Sequence, residues 1–285
     1  MAVLPSLDPR TGDPVPPDFV VAQHPERYGP QDHATWSTLF QRQSALLGGR
    51  VVDEFFDGLA ALGITSDGVP DFRAINAVLS RATGWRVEAV PGLVPDDVFF
   101  AHLAARRFPA SHWIRAGDQL DYIEEPDVFH DVFGHVPMLM QPRYADYLAA
   151  YGRAGLAYAG RPELAYLARL YWYTVEFGLM RTAAGLRIFG AGIVSSAGES
   201  IYCLESPEPL RIAFACERVL RTRYEIDHYQ QLYAVLSGWD DLPALAPQEL
   251  AAHIAAARRA GDLAPDQSIA TDRLVAAATA MPAPA

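Results

Sequence analysis

The chain has few cysteines and no long apolar run. Its two cysteines, Cys203 and Cys216, are too few for a disulfide framework and do not form a Cys-x-x-Cys pair, so we expect reduced thiols in the core. No stretch reaches the roughly 20 apolar residues of a membrane span, and the N-terminus lacks a basic region followed by an apolar core. We therefore predict a cytoplasmic protein without a membrane partner.

Basic residues are also scarce. Lys and Arg total 23 against 34 Asp and Glu, which gives a formal net charge of -11. Nucleic-acid binding needs clustered cations that neutralise phosphates, so this balance argues against a nucleic-acid partner. Apolar residues, in contrast, make up 51% of the chain, enough for the core of one large domain or two small ones.

Local patterns predict helices over much of the chain. Periodicity and capping signals favour helices at 32–47, 51–62, 71–84, 95–104, 144–151, from 161 to past 180, and 207–220. The best strand candidate is 85–90, which alternates and ends at Pro91-Gly92. Residues 224–229 suit a short strand or turn, with a last helix through Leu236. The patterns predict a mainly α fold of the α+β class, with packed helices and a few short strands in a single domain.

Two histidines and one acid stand out in apolar surroundings. His130 and His135 lie in a segment rich in aromatic residues, and Glu176 interrupts a long apolar run. A buried carboxylate costs several kcal/mol or more unless it is paired, protonated or bound to a metal. Two imidazoles and one carboxylate form the ligand set of non-haem Fe(II) enzymes that activate oxygen.

The spacing of the two histidines does not by itself indicate a metal site. Residues five apart on an ideal α-helix point about 140° away from each other. Gly134 and Pro137 could loosen or end the helix and bring both rings to one ion. A buried polar network is the competing interpretation.

The residues around this site carry a resemblance that runs from about Asp32 to about Val235. The matching stretches, in order, are Glu125-Pro-Asp127, His130, Gly134-His135-Val-Pro137, Tyr171-Trp-Tyr-Thr-Val-Glu176-Phe-Gly178, Gly190-Ala-Gly192-Ile-Val-Ser195-Ser196 and Glu199-Ser-Ile-Tyr202. Together they resemble the signature of the pterin-dependent aromatic amino acid hydroxylases. The pattern is closest to the bacterial phenylalanine 4-hydroxylases of that family.

The resemblance implies an enzyme, with a site for each reactant in a metal-centred cleft. Fe(2+) would be held by His130, His135 and Glu176. O2 would be the co-substrate, and tetrahydrobiopterin or a related tetrahydropterin the cofactor, bound by Gly92, Leu93, Val94, Phe99, Asp131, Ala168 and Tyr171. L-phenylalanine would be bound by Arg115, Pro126, Trp172, Phe177, Gly192, Ser195 and Ser196. Glu125 would act catalytically near the pterin and water. Val94, Asp96 and Pro109 depart from the animal members, which leaves the natural pterin open.

Two positions point to phenylalanine as the substrate. Ile226 stands where tyrosine hydroxylases carry an acid, and Trp172 stands where tryptophan hydroxylases typically have phenylalanine. The product would be L-tyrosine. Hydroxylation of tyrosine or tryptophan by the same mechanism remains an alternative. A hydrolase that uses the same ligands to bind zinc is an alternative from another class, although the H-E-x-x-H spacing with its general base is missing.

The ends of the chain differ in composition from its middle. Residues 1–30 are rich in proline and should form an extended arm, and 31–240 would be the catalytic hydroxylase domain. Residues 241–285 read as an alanine-rich helical extension that ends in a disordered tail. Animal members of the family end in a heptad helix that forms tetramers. Here no apolar heptad is sustained, so we predict a monomer.

Overall fold

The computed structural model describes residues 7–121 and 125–278. It confirms a mainly α fold of the α+β class. The chain forms two compact units, Met1–Gln41 with Phe56–Leu156 and Arg42–Phe55 with Ala157–Ala285. Residues 1–6 of the expected arm and 279–285 of the expected tail lie outside the described part. None of the helices in the described ranges combines the length and hydropathy that crossing a membrane requires.

Ten α-helices and six strands are present among the described residues. The helices are α1 Pro30–Leu47, α2 Asp53–Leu62, α3 Phe72–Ala82, α4 Asp96–Ala104, α5 Pro142–Tyr158, α6 Leu164–Tyr171, α7 Ala191–Val194, α8 Ala197–Glu205, α9 Cys216–Arg221 and α10 Pro247–Ala260. The strands are β1 Arg86–Val90, β2 Arg107–Ser111, β3 Leu179–Thr182, β4 Gly185–Ile188, β5 Leu210–Ala213 and β6 Leu232–Leu236. Two π-helical turns, Phe129–His135 and Trp172–Glu176, carry the histidines and Glu176.

In the first unit, a buried asparagine joins α3 to a two-stranded sheet. Asp71 caps α3, which begins where the helix at 71–84 was predicted, because its carboxylate accepts the backbone N–H of Arg73. The Asn76 amide then donates to the carbonyl of Val87 at 2.9 Å and accepts the N–H of Val87 at 2.7 Å. Strand β1 pairs in parallel with β2. Both strands therefore end on the same side, where the Gly92 loop and Ser111 lie.

An aromatic cluster supports the first π-helical turn within the same unit. Phe129 stacks on Phe133 with ring centroids 4.7 Å apart, and Trp36 and Phe40 of α1 meet these rings edge-on. Phe129 and Phe133 are fully buried. Burial of such aromatic side chains is a large favourable contribution to folding, and here it fixes the backbone that carries the histidines.

The second unit contains a four-stranded sheet in the order β4-β3-β6-β5. Strand β3 is antiparallel to β4 and parallel to β6, and β5 is parallel to β6. The chain after α10 covers the outer edge of β5: Ile212 bridges to Leu274, and the N–H of Val275 donates to the carbonyl of Arg211 at 2.7 Å. This pairing protects an edge that would otherwise expose unpaired backbone groups.

Several predicted helix limits are wrong for identifiable reasons. The helix predicted to end before Gly152 continues to Tyr158. Gly152 is not a helix-ending glycine: it packs against the backbone of Ala104, where a side chain has no room. The helix predicted to pass Met180 ends at Glu176, and the chain then enters β3. The segments predicted as helices at 207–220 and up to Leu236 contain β5 and β6. All five residues of β6 are buried, and a short buried strand has the same apolar run as a buried helix.

Candidate functional site

The first π-helical turn brings the two histidines together. Nε2 of His130 lies 3.3 Å from Nε2 of His135, and the ring planes are at 81°. A π-helix bonds residue i to residue i+5, so five residues make roughly one full turn and the side chains face the same way. The predicted convergence is present. Its cause is the wider turn rather than a helix end, since Gly134 lies inside the turn and Pro137 belongs to the following 3-10 turn Val136–Met140.

The donor atoms of this turn suit one divalent ion. Metal–nitrogen bonds are about 2.1 Å long, so nitrogens 3.3 Å apart can bind one ion at an angle of roughly 100°. The carboxylate of Asp131 joins them, and one ligand atom from each of the three residues lies within 4.8 Å of the others. Neutral imidazoles with a hard oxygen suit iron or zinc. His135 and Asp131 are buried, so an ion here would be largely shielded from water.

Asp131 has an unusual protonation equilibrium. Burial raises the pKa of Asp131 to about 7, although the backbone N–H of Ser111 donates to its Oδ2 at 2.7 Å and so favours the charged form. The family resemblance predicts Asp131 as a pterin residue. The structure places its carboxylate beside the histidines, at the end of β2.

Arg115 is held by the carboxylate of Asp127, for which the sequence predicted no role. The guanidinium donates from Nε to Oδ2 of Asp127 at 2.8 Å and from Nη2 to Oδ1 at 2.9 Å, and the Asp127 side chain is fully buried. Oδ1 also accepts the backbone N–H of His130 at 3.0 Å. Burial alone would raise the pKa of Asp127, but Arg115 and these N–H donors hold it below its usual value. Asp127 therefore fixes both Arg115 and the start of the π-helical turn. An Asp three residues before a helical histidine is a capping signal that could have revealed it.

The predicted pterin loop lies beside Glu125 in the first unit. A Cβ placed on Gly92 would be 3.8 Å from Oε2 of Glu125. Leu93 is largely exposed, and Val94 and the Phe99 ring are half-buried. Phe99 packs edge-on against Phe100 at 5.7 Å. The carbonyl of Pro126 accepts the hydroxyl of Ser111 at 2.9 Å, which ties the Glu125-Pro126 segment to β2.

In the second unit, two glycines allow the chain to pack against Glu176. A side chain at Gly190 would overlap the carbonyl of Glu176, and a side chain at Gly192 would collide with the Phe177 ring. The backbone of the Gly190-Ala-Gly192 stretch therefore lies against the segment that carries Glu176, which is half-buried at the end of its π-helical turn.

The aromatic residues next to Glu176 form a stack. The Trp172 indole lies nearly parallel to the Tyr224 ring at 4.3 Å, and its centroid is 4.6 Å from that of Phe177. The indole N–H donates to Oε1 of Gln230 at 2.7 Å. Gln230 was missed, because nothing in a linear pattern indicates a bond between residues 58 positions apart.

The remaining predicted site residues of the second unit include Ser195, Ser196, Ala168 and Tyr171. The two serines form local hydrogen bonds. The Ser195 hydroxyl donates to the carbonyl of Ala191 at 2.9 Å, and Ser196 caps α8 by accepting the N–H of Glu199. Ala168 and Tyr171 lie on α6 and are half-buried.

Comparison with known proteins gives a consistent result. Residues 18–255 match the model of the biopterin-dependent aromatic amino acid hydroxylases. The phenylalanine-4-hydroxylase of Ralstonia nicotianae is 59% identical over 81% of this chain and 74% of its own length. That of Chromobacterium violaceum is 54% identical over 88% of this chain and 86% of its own length.

Solved structures of phenylalanine hydroxylases are also similar to this chain. The cobalt-bound Chromobacterium violaceum phenylalanine hydroxylase has a TM-score of 0.90 at 49% identity, covering 96% of this chain and 100% of the other. The iron- and phenylalanine-bound structure of the same enzyme has a TM-score of 0.85 at 49% identity, covering 91% of this chain and 94% of the other.

Proposed function

Since this chain belongs to the biopterin-dependent aromatic amino acid hydroxylase family, we propose that it converts free L-phenylalanine to L-tyrosine. Fe(2+) and O2 are required, with tetrahydrobiopterin or a related tetrahydropterin as the reductant. The observation that carries the proposal is the 3.3 Å approach of the His130 and His135 Nε2 atoms on a π-helical turn. Such an approach of two like nitrogens is the arrangement that one shared metal ion requires.

His130, His135 and Glu176 would hold the iron. The two histidines belong to the first unit and Glu176 to the second, and the family pattern together with the donor chemistry supports their grouping. Bound iron and pterin supply the activation of O2 and the electrons for it. The protein's own contribution is to fix these donors on short, tightly packed turns and to exclude water around them.

Arg115 would bind the carboxylate of phenylalanine. A planar guanidinium makes parallel charge-assisted bonds to a carboxylate, which an ammonium group cannot reproduce. Asp127 holds Nε and Nη2, so the guanidinium plane is already fixed before substrate arrives. Pro126, Trp172 and Phe177 would form apolar walls for the phenyl ring. Gly192, Ser195 and Ser196 would close over the amino acid end.

The pterin would lie against the exposed loop of the first unit. Its binding residues would be Gly92, Leu93, Val94, Phe99, Asp131, Ala168 and Tyr171, with the Phe99 ring stacking on the pterin. Glu125 would interact with pterin and water, and its position beside Gly92 supports that role. The buried carboxyl of Asp131, with a pKa raised to about 7, can accept or donate a hydrogen bond near neutral pH.

The names of the relatives favour phenylalanine as the substrate over tyrosine and tryptophan. The relatives are named phenylalanine-4-hydroxylases, and tyrosine or tryptophan hydroxylation is not favoured. A zinc hydrolase is not favoured either, because the whole fold matches hydroxylases. We also propose that the enzyme is a cytoplasmic monomer, and the free thiols of Cys203 and Cys216 are compatible with a reducing compartment. Light scattering that gave a dimer or tetramer mass would contradict the monomer.

The decisive experiment is reconstitution. The protein is loaded with Fe(II) without oxygen, then given phenylalanine, a reduced pterin and air, and tyrosine is measured. We expect tyrosine from the wild type and none from Glu176→Ala. The matched control is Glu163→Ala, which removes a carboxylate of the same unit paired with Arg258 at 2.7 Å and should retain activity. Tyrosine formation with Zn(II) alone, or undiminished formation by Glu176→Ala, would refute the assignment.

A further inference from the structure

The segment between Tyr224 and Gln230 connects the proposed substrate wall to a buried acid. At one end, the Tyr224 ring stacks on the Trp172 indole at 4.3 Å. At the other end, Gln230 is 4% exposed and accepts the indole N–H at 2.7 Å. Trp172 is therefore held in two directions by one short loop: Tyr224 sets the plane of the indole, and Gln230 sets its rotation within that plane.

The orientation of the Gln230 amide is fixed by the same loop. Its Nε2 donates to the carbonyls of Glu225 and His228 at 3.0 and 3.2 Å, so Oε1 faces the indole. If the amide were reversed, its NH2 group would face the Trp172 indole N–H, and its oxygen would face the carbonyl oxygens of Glu225 and His228. Neither arrangement can form a hydrogen bond. The bonds to Glu225 and His228 also close the loop, and Ile226 lies between them, 74% exposed.

The backbone of Gln230 is anchored separately. Its N–H donates to Oε1 of Glu199 at 3.0 Å, and the Tyr233 hydroxyl donates to the same oxygen at 2.7 Å. Tyr229 packs against Tyr202 at 5.1 Å, and its hydroxyl fills the space beside Gly198. The Gln230 end of the loop is thus fixed to α8, the Tyr224 end is stacked on Trp172 of the second π-helical turn, and the residues between them are exposed.

We propose that Gln230 is a positioning residue that determines specificity, because its hydrogen bond locks the Trp172 indole. This proposal rests on the proposed function, since it takes Trp172 as a wall for the phenyl ring. Gln230 does not contact substrate itself. Its effect passes through the indole, whose rotation sets the position of the proposed apolar wall that Trp172 and Phe177 form, and thereby which aromatic ring fits against it.

A double-mutant cycle tests this route. Gln230→Leu keeps a side chain of similar size but removes the acceptor and both donors. We expect kcat/KM for phenylalanine to fall about 3- to 10-fold, chiefly through KM, and the preference for phenylalanine over tryptophan to fall with it. In a Trp172→Phe background the indole N–H is already absent, so Gln230→Leu should change the preference by less than about 2-fold. Equal effects in both backgrounds would overturn the proposal.

A matched control separates positioning from general loss of stability. Thr222→Val removes a buried hydroxyl of the same unit that donates to the carbonyl of Arg218 at 2.7 Å. We expect this variant to lower the melting temperature and leave the substrate preference unchanged. If Thr222→Val shifted the preference as much as Gln230→Leu, the effect would be a general one and the proposal would fail.

A spectroscopic measurement tests the contact without turnover. With 5-fluorotryptophan incorporated, the Trp172 resonance is assigned by its absence in Trp172→Phe. Gln230→Leu should shift or broaden that resonance, whereas Thr222→Val should not. An unmoved resonance would overturn the positioning role even if the wild type makes tyrosine. A moved resonance in a protein that makes no tyrosine would leave the contact established and refute the proposed reaction instead.

Discussion

The carboxylate of Asp127 bonds both Arg115 and the backbone of His130. The guanidinium donates to its two oxygens at 2.8 and 2.9 Å, and the His130 N–H donates to one of them at 3.0 Å. A single buried acid thus links the predicted substrate-binding arginine to the predicted first metal ligand, within one compact unit.

We expect Arg115→Lys to raise the KM for phenylalanine about tenfold or more while leaving iron content nearly unchanged. Lysine can keep one charge contact with Asp127 but cannot make two parallel bonds to it and also bind the substrate carboxylate. Steady-state kinetics with iron analysis by mass spectrometry measures both quantities. An unchanged KM would refute the carboxylate clamp.

Asp127→Asn should have a broader effect than the arginine substitution. It leaves the Arg115 charge buried without a counter-ion and replaces one carboxylate oxygen by an NH2 group. Breaking a buried ion pair in this way lowers the free energy of unfolding by about 3–5 kcal/mol. Because Asp127 also orients the His130 backbone, we expect both KM and Fe(II) affinity to worsen. Denaturant unfolding and metal titration test this. Asp71→Asn, at the exposed cap of α3, is the control and should alter neither parameter.

Gly190→Ala should disturb Glu176 without touching its carboxylate. The added methyl would overlap the Glu176 carbonyl, so the backbone must shift, at a cost of roughly 1–3 kcal/mol. We expect a lower melting temperature and weaker iron binding. Gly48→Ala is the matched control, since the nearest atom would lie 3.6 Å away. Normal iron affinity in Gly190→Ala would show that this packing does not position the acid.

Glu199 should make stability depend on pH. Burial raises its pKa from 4.5 to about 7, although the Gln230 N–H and the Tyr233 hydroxyl oppose this shift. A carboxyl whose folded pKa is raised contributes its full stability below the unfolded pKa, and that contribution is lost as pH rises toward the folded pKa. The loss between pH 4.5 and 7 should reach roughly 3 kcal/mol.

The Glu199→Gln variant isolates this contribution. Its free energy of unfolding, relative to wild type, should increase by about 3 kcal/mol between pH 4.5 and 8, measured by urea unfolding of metal-free protein. Asp131 titrates in both proteins and cancels in the difference. Burial also raises the pKa values of Tyr233 and Cys203, so neither thiol nor phenol ionises in this window. A difference that does not change with pH would contradict the buried-acid interpretation.

Metal removal should destabilise only proteins that retain the ligands. An ion that binds the folded state alone stabilises it by mass action, about 2.7 kcal/mol at a hundredfold excess over Kd. We expect Fe(II) to raise the melting temperature of the wild type and a chelator to reverse this. His130→Ala should show neither response. An equal response in His130→Ala would place the bound iron elsewhere.

Local chemistry made part of this architecture predictable. The cap at Asp71, the strand before Pro91-Gly92 and the helix after Pro95 follow from side chains and backbone preferences within a few residues, and all three are present. The strand β6 was not predictable, because its five buried residues carry no periodicity and its neighbours β3 and β5 are distant in sequence.

In the site, too, some features could be predicted from the sequence and others could not. The proposed metal ligands were predicted from unusual polar groups in apolar surroundings and from a family resemblance. The π-helical turn was not, because α-helical and π-helical bonding differ by one residue and no composition distinguishes them. Gln230 acts through a bond between residues 58 positions apart, which only the folded chain creates.

The wide turn at Phe129–His135 makes the number of residues between the histidines a constraint separate from their identity. Deleting one residue would leave the histidines four apart, and on an ordinary α-helix residues four apart still share a face. Inserting one residue would instead rotate His135 away from His130. During evolution the stretch can therefore accept conservative replacements at Val132 or Phe133, whereas a gain of one codon would separate the two imidazoles at once.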